Sequence, residues 1–256
     1  MFDMDGTLLC EKPNYIEVVI TKSRLQELAA DNPDLARKPL YKAALANDDA
    51  YIDEHVKEAI LEAFATVTLD SLSHYWRTYV VQNAHPTLNR PYERLFYKPM
   101  IDLIVYLQNA GFSVFVVSTS QQEFIRSFCP DILPVPRRNV VGSMVGFSLA
   151  NLDANAPQTF ARQKHYFEPY NADEGKAVRL RERGLGQVLM AAGNSMGDYA
   201  MLDGVSDSEG RSLVMVIDHD DPEREFEYHK PSLMEKAIEE NWLVVSMRND
   251  FATVFE

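Results

Sequence analysis

The first part of the chain carries apolar side chains at helical spacing. Residues 13–30, 51–64 and 69–80 repeat them every three or four positions, which predicts amphipathic helices. Pro13 can begin the first of these helices, because proline is well accommodated in a first helical turn. Together the three runs predict an all-helical cap over residues 11–95, inserted after a first strand.

The rest of the chain alternates between predicted helices and predicted strands. Helices are predicted near residues 99–110, 121–128, 176–184 and 232–240, and strands at 112–118, 188–192 and 213–217. Such alternation indicates an α/β fold with a doubly wound parallel sheet, whose core we assign to residues 1–10 and 96–256. Segments 140–149 and 159–167 alternate as strands do, and they predict a small β excursion near residues 139–170.

Composition narrows the class of protein. The 256 residues are 46% hydrophobic and 25% charged, as in an ordinary soluble globular protein. A net charge of −13 argues against a nucleic-acid partner, since phosphate backbones are held by clustered Lys and Arg. No apolar run approaches the ~20 residues of a membrane-spanning helix, so we expect no membrane span. Cys10 and Cys129 form neither a metal-type pair nor a disulfide framework.

The most informative segment is the Asp-x-Asp-Gly-Thr sequence at residues 3–7, which follows the start of an apolar strand. Side chains alternate along a strand, so Asp3 and Asp5 are expected on the same side of the backbone. Asp3 could attack phosphorus while Asp5 handles the proton of the leaving group, two roles that different surroundings can give to two carboxylates. The alternative is a solvated Asp/Gly turn.

Three further polar groups follow in order along the chain. Ser118 ends a predicted strand, Lys176 begins a predicted helix, and the loop that holds Asn194 and Asp198 follows another apolar strand. The carboxyl ends of parallel strands meet at one edge of a sheet, where ligands bind. The alternatives are that Ser118 caps a helix beginning at residue 119, and that Lys176 is a solvated surface lysine.

These four motifs, in this order, resemble those of the haloacid dehalogenase (HAD) superfamily of phosphohydrolases. Further segments are similar to one bacterial branch, which contains the phosphorylcholine phosphatases and acid-phosphatase-like relatives. The segments that carry the branch resemblance are Cys10–Tyr15, His85-Pro86, Arg90–Tyr92, Gly193–Ser195 and Asp221–Glu225. The superfamily resemblance implies a Rossmann-like core and covers nearly the whole chain.

The resemblance also implies an activity and a ligand set. It implies a phosphomonoester hydrolase that acts through an aspartyl-phosphate on Asp3, with Asp5 as general acid and base. Ser118, Thr119 and Lys176 would bind phosphate, and Asp3, Asp5 (through its backbone carbonyl), Asn194 and Asp198 would hold Mg²⁺. The superfamily usually has Gly-Asp where this chain has Gly193-Asn194, so one negative charge at the metal is missing.

The substrate implied by the resemblance is a small phosphorylated metabolite. The branch, together with an acidic, aromatic-rich cap, points weakly to a phosphocholine-like monoester. Two alternatives stay open, a phosphotransferase using the same aspartyl-phosphate and a non-catalytic module that binds phosphoryl ligands. The sequence 219–221 (His-Asp-Asp) could bind a metal, although its position before Pro222 favours a turn. The oligomeric state is left open.

The N-terminus raises a question about compartment. Only Met1 and Phe2 precede Asp3, whereas a buried strand typically has about five residues. We therefore expect either a gene product that starts further upstream or a truncated form. The chain as given carries no signal peptide, but members of the branch often have an export signal, so localisation stays open.

Overall fold

The computed structural model of the chain describes residues 1–150, 158–206 and 210–256. Along the chain the helices and strands are α1 (Ile16–Asp31), α2 (Pro39–Ala46), α3 (Asp49–Glu54), α4 (Val56–Ala63), α5 (Leu69–Gln82), α6 (Lys98–Asn109), β1 (Val116–Gln121), α7 (Gln122–Arg126), β2 (Val140–Ser143), β3 (Val145–Leu149), β4 (Phe160–Tyr166), α8 (Glu174–Glu182), β5 (Met190–Gly193), α9 (Tyr199–Ser206), β6 (Leu213–Asp220), β7 (Glu227–Tyr228), α10 (Pro231–Glu239), β8 (Leu243–Ser246) and α11 (Met247–Asp250).

Internal contacts divide the chain into two compact units. The first comprises Met1–Lys12, Val80–Met144 and Glu168–Glu256, and the second comprises Pro13–Tyr79 and Val145–Phe167. Residues 80–95 therefore group with the first unit, and residues 145–167 group with the second. The domain boundaries expected from sequence, with a cap over 11–95, stay a prediction.

The first unit is built on a parallel sheet. Strands β1 and β2 pair in parallel, and β6 pairs in parallel with both β5 and β8. Phe2 forms parallel bridges to Val116 of β1 and to Ala192 of β5, so the N-terminal segment lies between those two strands. The resulting order is β2, β1, Phe2, β5, β6, β8. This confirms the predicted α/β fold with a parallel sheet.

The N-terminal segment is short but fully hydrogen-bonded on both sides. The amide of Phe2 donates to the carbonyl of Phe115 at 2.9 Å, and the amide of Val117 donates to the carbonyl of Phe2 at 2.8 Å. On the other side the Asp3 amide donates to the Ala192 carbonyl at 2.9 Å. The backbone of Asp3 is therefore fixed by the sheet itself.

The second unit has a helical core with an antiparallel strand pair. Trp76 is fully buried and packs edge-on against Phe64, with ring centroids 5.4 Å apart. Strands β3 and β4 pair antiparallel, with Phe147 opposite Arg162. Arg162 is buried, and its guanidinium donates to the carbonyl of Leu61 at 3.1 Å. Burial lowers the pKa of Arg162 to about 10.

Two sequence expectations change in detail. Residues 140–143, expected in the β excursion, form β2 of the parallel sheet, because Val140 and Val141 are both buried there. Strand β1 continues through Gln121, so the helix after it has Gln121 as its N-cap and the expected cap role of Ser118 is wrong. The part of the predicted excursion at 151–157 lies outside the described residues. Within the described ranges, no helix is both long and apolar enough to cross a membrane.

Candidate active site

Polar side chains gather at the carboxyl edge of the parallel sheet. Asp3 directly follows Phe2, Ser118 lies near the middle of β1, and Asn194 directly follows β5. These three segments are neighbours in the sheet, so their side chains share one edge, which is where ligands bind in open α/β sheets. The structure thus brings together the motifs that the sequence predicted.

Lys176 lies at the centre of this edge. Its Nζ donates to Asp3 Oδ1 and to Asp198 Oδ1, both at 2.6 Å. Only 3% of the Lys176 side chain is exposed, so the alternative of a solvated surface lysine is wrong. One buried ammonium between two carboxylates is a charge-assisted arrangement that fixes all three side chains.

The local fold explains how Lys176 reaches the site. A side chain on Gly175 would lie 1.9 Å from the carbonyl oxygen of Tyr170, so only glycine allows α8 to begin this close to the preceding loop. Asp173, the N-cap of α8, has a φ of 49°, a backbone conformation that non-glycine residues rarely adopt. Such conformations cluster at functional sites, where the surrounding structure holds them in place.

The charges of the cluster shift two pKa values. Burial lowers the pKa of Lys176, but the carboxylates of Asp198 and Asp3 outweigh it, so the pKa lies well above its usual range. Burial, followed by the charge of Asp198, raises the pKa of Asp3, and Lys176 opposes this rise. Two buried carboxylates that share one ammonium repel each other, which favours a further positive charge beside Asp3.

Asp198 also organises its own loop. Its Oδ2 accepts hydrogen bonds from the amides of Asn194 and Ser195, both at 3.1 Å, and from the Ser195 hydroxyl at 3.3 Å. With Oδ1 on Lys176, both oxygens of Asp198 are engaged by donors. Its predicted role as a metal ligand stays a prediction.

Asp5 lies in a different environment from Asp3. Its Oδ2 accepts from the hydroxyl of Ser120 at 3.0 Å and from that of Ser118 at 3.5 Å. Ser118 and Ser120 are two positions apart on β1 and share a face, whereas Thr119 lies between them and is exposed. A phosphate-binding role for Ser118 and Thr119 stays a prediction. Sequence reasoning missed Ser120, although strand alternation could have found it.

Asn171 is a second residue that sequence reasoning missed. Its side-chain amide donates to the carbonyls of Ser118 at 2.7 Å and Val141 at 3.1 Å, so it ties the ends of β1 and β2 together. The hydroxyl of Ser143 donates to the Thr119 carbonyl at 2.7 Å and supports the same segment. No sequence signal points to Asn171, because the residue lies in a loop without a motif.

The Asn194 side chain lies against the Asp-x-Asp-Gly turn. A Cβ placed on Gly6 would be 1.8 Å from Asn194 Nδ2, so this contact requires glycine at position 6. Nδ2 is buried and has no hydrogen-bond partner among the described residues. The two ends of an amide are exchanged by a 180° rotation, which would place an unpaired oxygen at the same point. Such an oxygen suits a hard cation like Mg²⁺.

The alternative metal cluster at residues 219–221 is not formed. His219 Nε2 lies 2.7 Å from the Gly6 carbonyl oxygen and Nδ1 lies 3.2 Å from Glu225, so both nitrogens are in use. Asp221 accepts from the amides of Glu223 and Arg224, as expected for a turn. Throughout residues 1–150, 158–206 and 210–256, no group of three or more His, Cys, Asp or Glu side chains is placed to hold a metal ion.

Several solved structures share the fold at low sequence identity. A protein of unknown function from Bordetella pertussis Tohama I superposes with a TM-score of 0.63 at 17% identity, over 95% of this chain and 96% of that one. A protein from Anaerococcus prevotii DSM 20548 gives 0.59 at 14% identity, over 96% and 84%. A phosphoserine phosphohydrolase-like protein from Francisella tularensis subsp. tularensis SCHU S4 gives 0.50 at 16%, over 95% and 93%.

Sequence comparison assigns the family. No curated protein matches the chain significantly. The family model for haloacid dehalogenase-like hydrolases, however, matches residues 1–203, which include all four motifs of the site. Because this match covers well over half of the sequence, the chain belongs to the haloacid dehalogenase-like hydrolase family.

Proposed function

We propose that the protein is a phosphomonoester hydrolase with Asp3 as its nucleophile. The observation that carries this proposal is the buried contact of Lys176 with Asp3 and Asp198, both at 2.6 Å, beside the second carboxylate of Asp5. Phosphoryl transfer needs a fixed nucleophile and positive charge at the transferring oxygens, and this cluster fixes Asp3 and places one ammonium beside it. Membership of the hydrolase family supports the same reaction class, and so does the fold shared with the phosphoserine phosphohydrolase-like protein.

The reaction divides into two displacements. In the first, an Asp3 carboxylate oxygen forms a bond to phosphorus while the ester oxygen–phosphorus bond breaks, and the Asp5 carboxyl gives its proton to the departing alkoxide. In the second, Asp5 takes a proton from water, whose oxygen attacks phosphorus and releases Asp3 with inorganic phosphate. The hydroxyls of Ser118 and Ser120 orient Asp5 for both proton transfers.

A divalent cation fits this site. Asp3, Asp5 and Asp198 bring three carboxyl groups and Lys176 one ammonium, so a dianionic phosphate would be repelled without further positive charge. Asp3, the Asp5 backbone carbonyl and the amide of Asn194 would hold Mg²⁺, which needs only one or two carboxylates beside its waters. Bound there, the ion would neutralise charge on the phosphoryl oxygens. Donors occupy both oxygens of Asp198. We therefore propose that Asp198 holds Lys176 and the Asn194 loop in place and does not bind the ion directly.

The first experiment measures phosphate release from p-nitrophenyl phosphate with Mg²⁺, after chelation, and after Mg²⁺ is restored. We expect release that depends on Mg²⁺ and is lost in Asp3→Asn purified in parallel. Equal release from both proteins would show that the activity is a contaminant and that the proposal is wrong. Calorimetric binding of inorganic phosphate without turnover would instead identify a non-catalytic binding module.

A second experiment separates hydrolase from phosphotransferase. An alcohol acceptor such as glycerol is added at rising concentration while p-nitrophenol and inorganic phosphate are measured together. A hydrolase releases the two products in equal amounts at every concentration. A phosphotransferase releases less phosphate than p-nitrophenol, because the aspartyl-phosphate passes to the alcohol.

The substrate class is a small phosphomonoester. The sequence resemblance favours a phosphocholine-like one, but Trp76 and Tyr41, two of the aromatic residues that could bind a cation, are core residues of the second unit. The Tyr41 hydroxyl donates to Glu62 at 3.2 Å, whereas Tyr15 is exposed. A screen of cationic and neutral phosphomonoesters would test the preference, and a higher kcat/KM for the cationic group would support it.

A further inference from the structure

A buried histidine on strand β6 contacts the Asp-x-Asp-Gly turn. His219 lies near the end of β6 and is 1% exposed. Its Nε2 is 2.7 Å from the carbonyl oxygen of Gly6, and its Nδ1 is 3.2 Å from Glu225 Oε2. Tyr228 stacks on the imidazole with ring centroids 4.2 Å apart, so the ring has little freedom to turn.

Glu225 is held just as firmly behind His219. The Tyr97 hydroxyl donates to Oε1 at 2.5 Å, and the Phe226 amide donates to Oε2 at 2.8 Å. Burial alone would raise the pKa of Glu225, but His219, Tyr97 and the Phe226 amide outweigh it and lower the pKa. A carbonyl oxygen can only accept, so Nε2 of His219 donates the hydrogen bond to Gly6.

The hydrogen bond from His219 is made to Gly6, the residue of the turn with the greatest backbone freedom. Gly6 has a φ of 80°, and glycine reaches more backbone conformations than any other residue. Its amide donates to the Leu9 carbonyl at 2.8 Å, while Met4 accepts from the amides of Leu8 and Leu9. The hydrogen bond from His219 to the Gly6 carbonyl therefore pins the remaining polar group of Gly6.

We propose that His219, backed by Glu225, is a positioning residue that fixes the Gly6 peptide and thereby the orientation of Asp5. This inference rests on the proposed phosphomonoesterase function, in which Asp5 transfers protons. The two ring nitrogens of His219 meet Glu225 and the Gly6 carbonyl, so its effect on Asp5 passes through the backbone of the turn. Its loss should impair leaving-group protonation more than nucleophilic attack.

The test compares His219→Phe with His85→Phe, because phenylalanine keeps an aromatic ring but has no nitrogen to donate a hydrogen bond. His85 is also buried, and its Nε2 lies 2.7 Å from the Lys12 carbonyl oxygen, so the control loses an equivalent imidazole–carbonyl contact away from the turn. Hydrogen exchange followed by mass spectrometry reports on peptides that contain residues 4–9. In His219→Phe we expect these amides to exchange about 10- to 100-fold faster, while peptides of β5 and β6 stay protected.

Kinetics supply the second readout. An alkyl phosphate, whose alkoxide needs a proton, should lose about 10- to 100-fold in kcat in His219→Phe, whereas p-nitrophenyl phosphate should lose only a few-fold. A role confined to stability would leave the ratio of the two rates at its wild-type value. His85→Phe should keep that ratio.

A milder variant guards against misfolding of His219→Phe. Tyr97→Phe removes only the hydroxyl that anchors Glu225, and it should shift exchange and rate ratio in the same direction by a smaller factor. Unchanged exchange at residues 4–9, or equal loosening in His85→Phe, would overturn the positioning role. If the wild type hydrolyses no phosphomonoester, the proposed function has failed, and the exchange arm alone decides whether His219 fixes the turn.

Discussion

Asp3 and Asp5 are two residues apart, yet they occupy different environments. Asp3 is buried, its backbone is hydrogen-bonded within the sheet, and its carboxylate meets the Lys176 ammonium at 2.6 Å. Asp5 is only half-buried and meets hydroxyl groups of Ser118 and Ser120. A carboxyl group paired with an ammonium lies on one side of the turn, and a carboxyl group that accepts from two hydroxyls lies on the other.

The difference teaches how one short motif can serve two chemical roles. In the proposed reaction, a nucleophile benefits from a fixed position beside a positive charge, which the sheet and Lys176 give to Asp3. A proton carrier must exist in both protonation states, and hydroxyl partners can donate to one state and accept from the other. Both side chains end in a carboxyl group, so the difference between their proposed roles comes from the groups to which they are hydrogen-bonded. Each prediction below changes one partner or one carboxyl group.

Asp3→Asn should have the largest effect. An amide cannot form the acyl-phosphate, so we expect a loss of kcat of more than about 10⁴-fold. Because Lys176 keeps Asp198 as a partner, the fold should be retained, which circular dichroism and thermal unfolding check. Activity near the wild-type level in a freshly prepared variant would show that Asp3 is not the nucleophile.

Asp5→Asn should slow turnover by about 10²–10⁴-fold, the usual contribution of general acid–base catalysis. The loss should be smaller for p-nitrophenyl phosphate than for an alkyl phosphate, since p-nitrophenolate leaves without a proton. Binding of inorganic phosphate, measured by calorimetry, should change little. Equal losses for both substrates would mean that Asp5 does not protonate the leaving group.

Lys176→Met tests how strongly the stability of the fold depends on the ammonium between Asp3 and Asp198. The variant leaves Asp3 and Asp198 as buried carboxylates without their cation, which typically costs about 3–5 kcal/mol in the free energy of unfolding. Denaturant titration measures this cost. The matched double variant Lys176→Met/Asp198→Asn should recover part of it, because one of the two repelling charges is gone. A single variant as stable as the wild type would contradict the paired cluster.

Ser120→Ala should have the smallest effect on activity. It tests how much the hydroxyl groups around Asp5 contribute. Removing one hydroxyl donor to Asp5 is worth about 0.5–1.5 kcal/mol, so kcat for an alkyl phosphate should fall about 2- to 10-fold. Ser118→Ala is the matched comparison, because its contact with Asp5 is longer, 3.5 Å against 3.0 Å. A larger loss of kcat in Ser118→Ala than in Ser120→Ala would reverse the order of the two contacts.

The sequence predicted the fold class well because the motifs lie at the ends of strongly apolar strands. Strands β5 and β6 and helix α8 are found where the pattern indicated, and Asp3, Lys176 and Asp198 meet as their positions at one sheet edge suggest. Short-range pattern was sufficient for the strands and the helix, whereas the place of Lys176 in the site came from the resemblance to the family. The roles assigned to these residues stay predictions.

Long-range partners could not be predicted in the same way. Ser120 and Asp5 are 115 positions apart, Asn171 and Ser118 are 53 apart, and His219 and Gly6 are 213 apart. Pairing over such separations depends on strand order and register, which periodicity does not encode. The end of β1 was misplaced for a related reason. Residues 119–121 are polar, and their contacts with β2 and Asp5 help to keep them extended.

The buried ammonium of Lys176 also has a consequence for chemical labelling. Amine acylation requires both access and the unprotonated base, and Lys176 lacks access because 3% of its side chain is exposed. Its raised pKa removes the free base as well. Lys164, whose side chain is 52% exposed, should be acylated early, whereas Lys176 should be acylated only once the cluster opens. The acylation rate at this one amine therefore reports how often the cluster of Lys176, Asp3 and Asp198 opens.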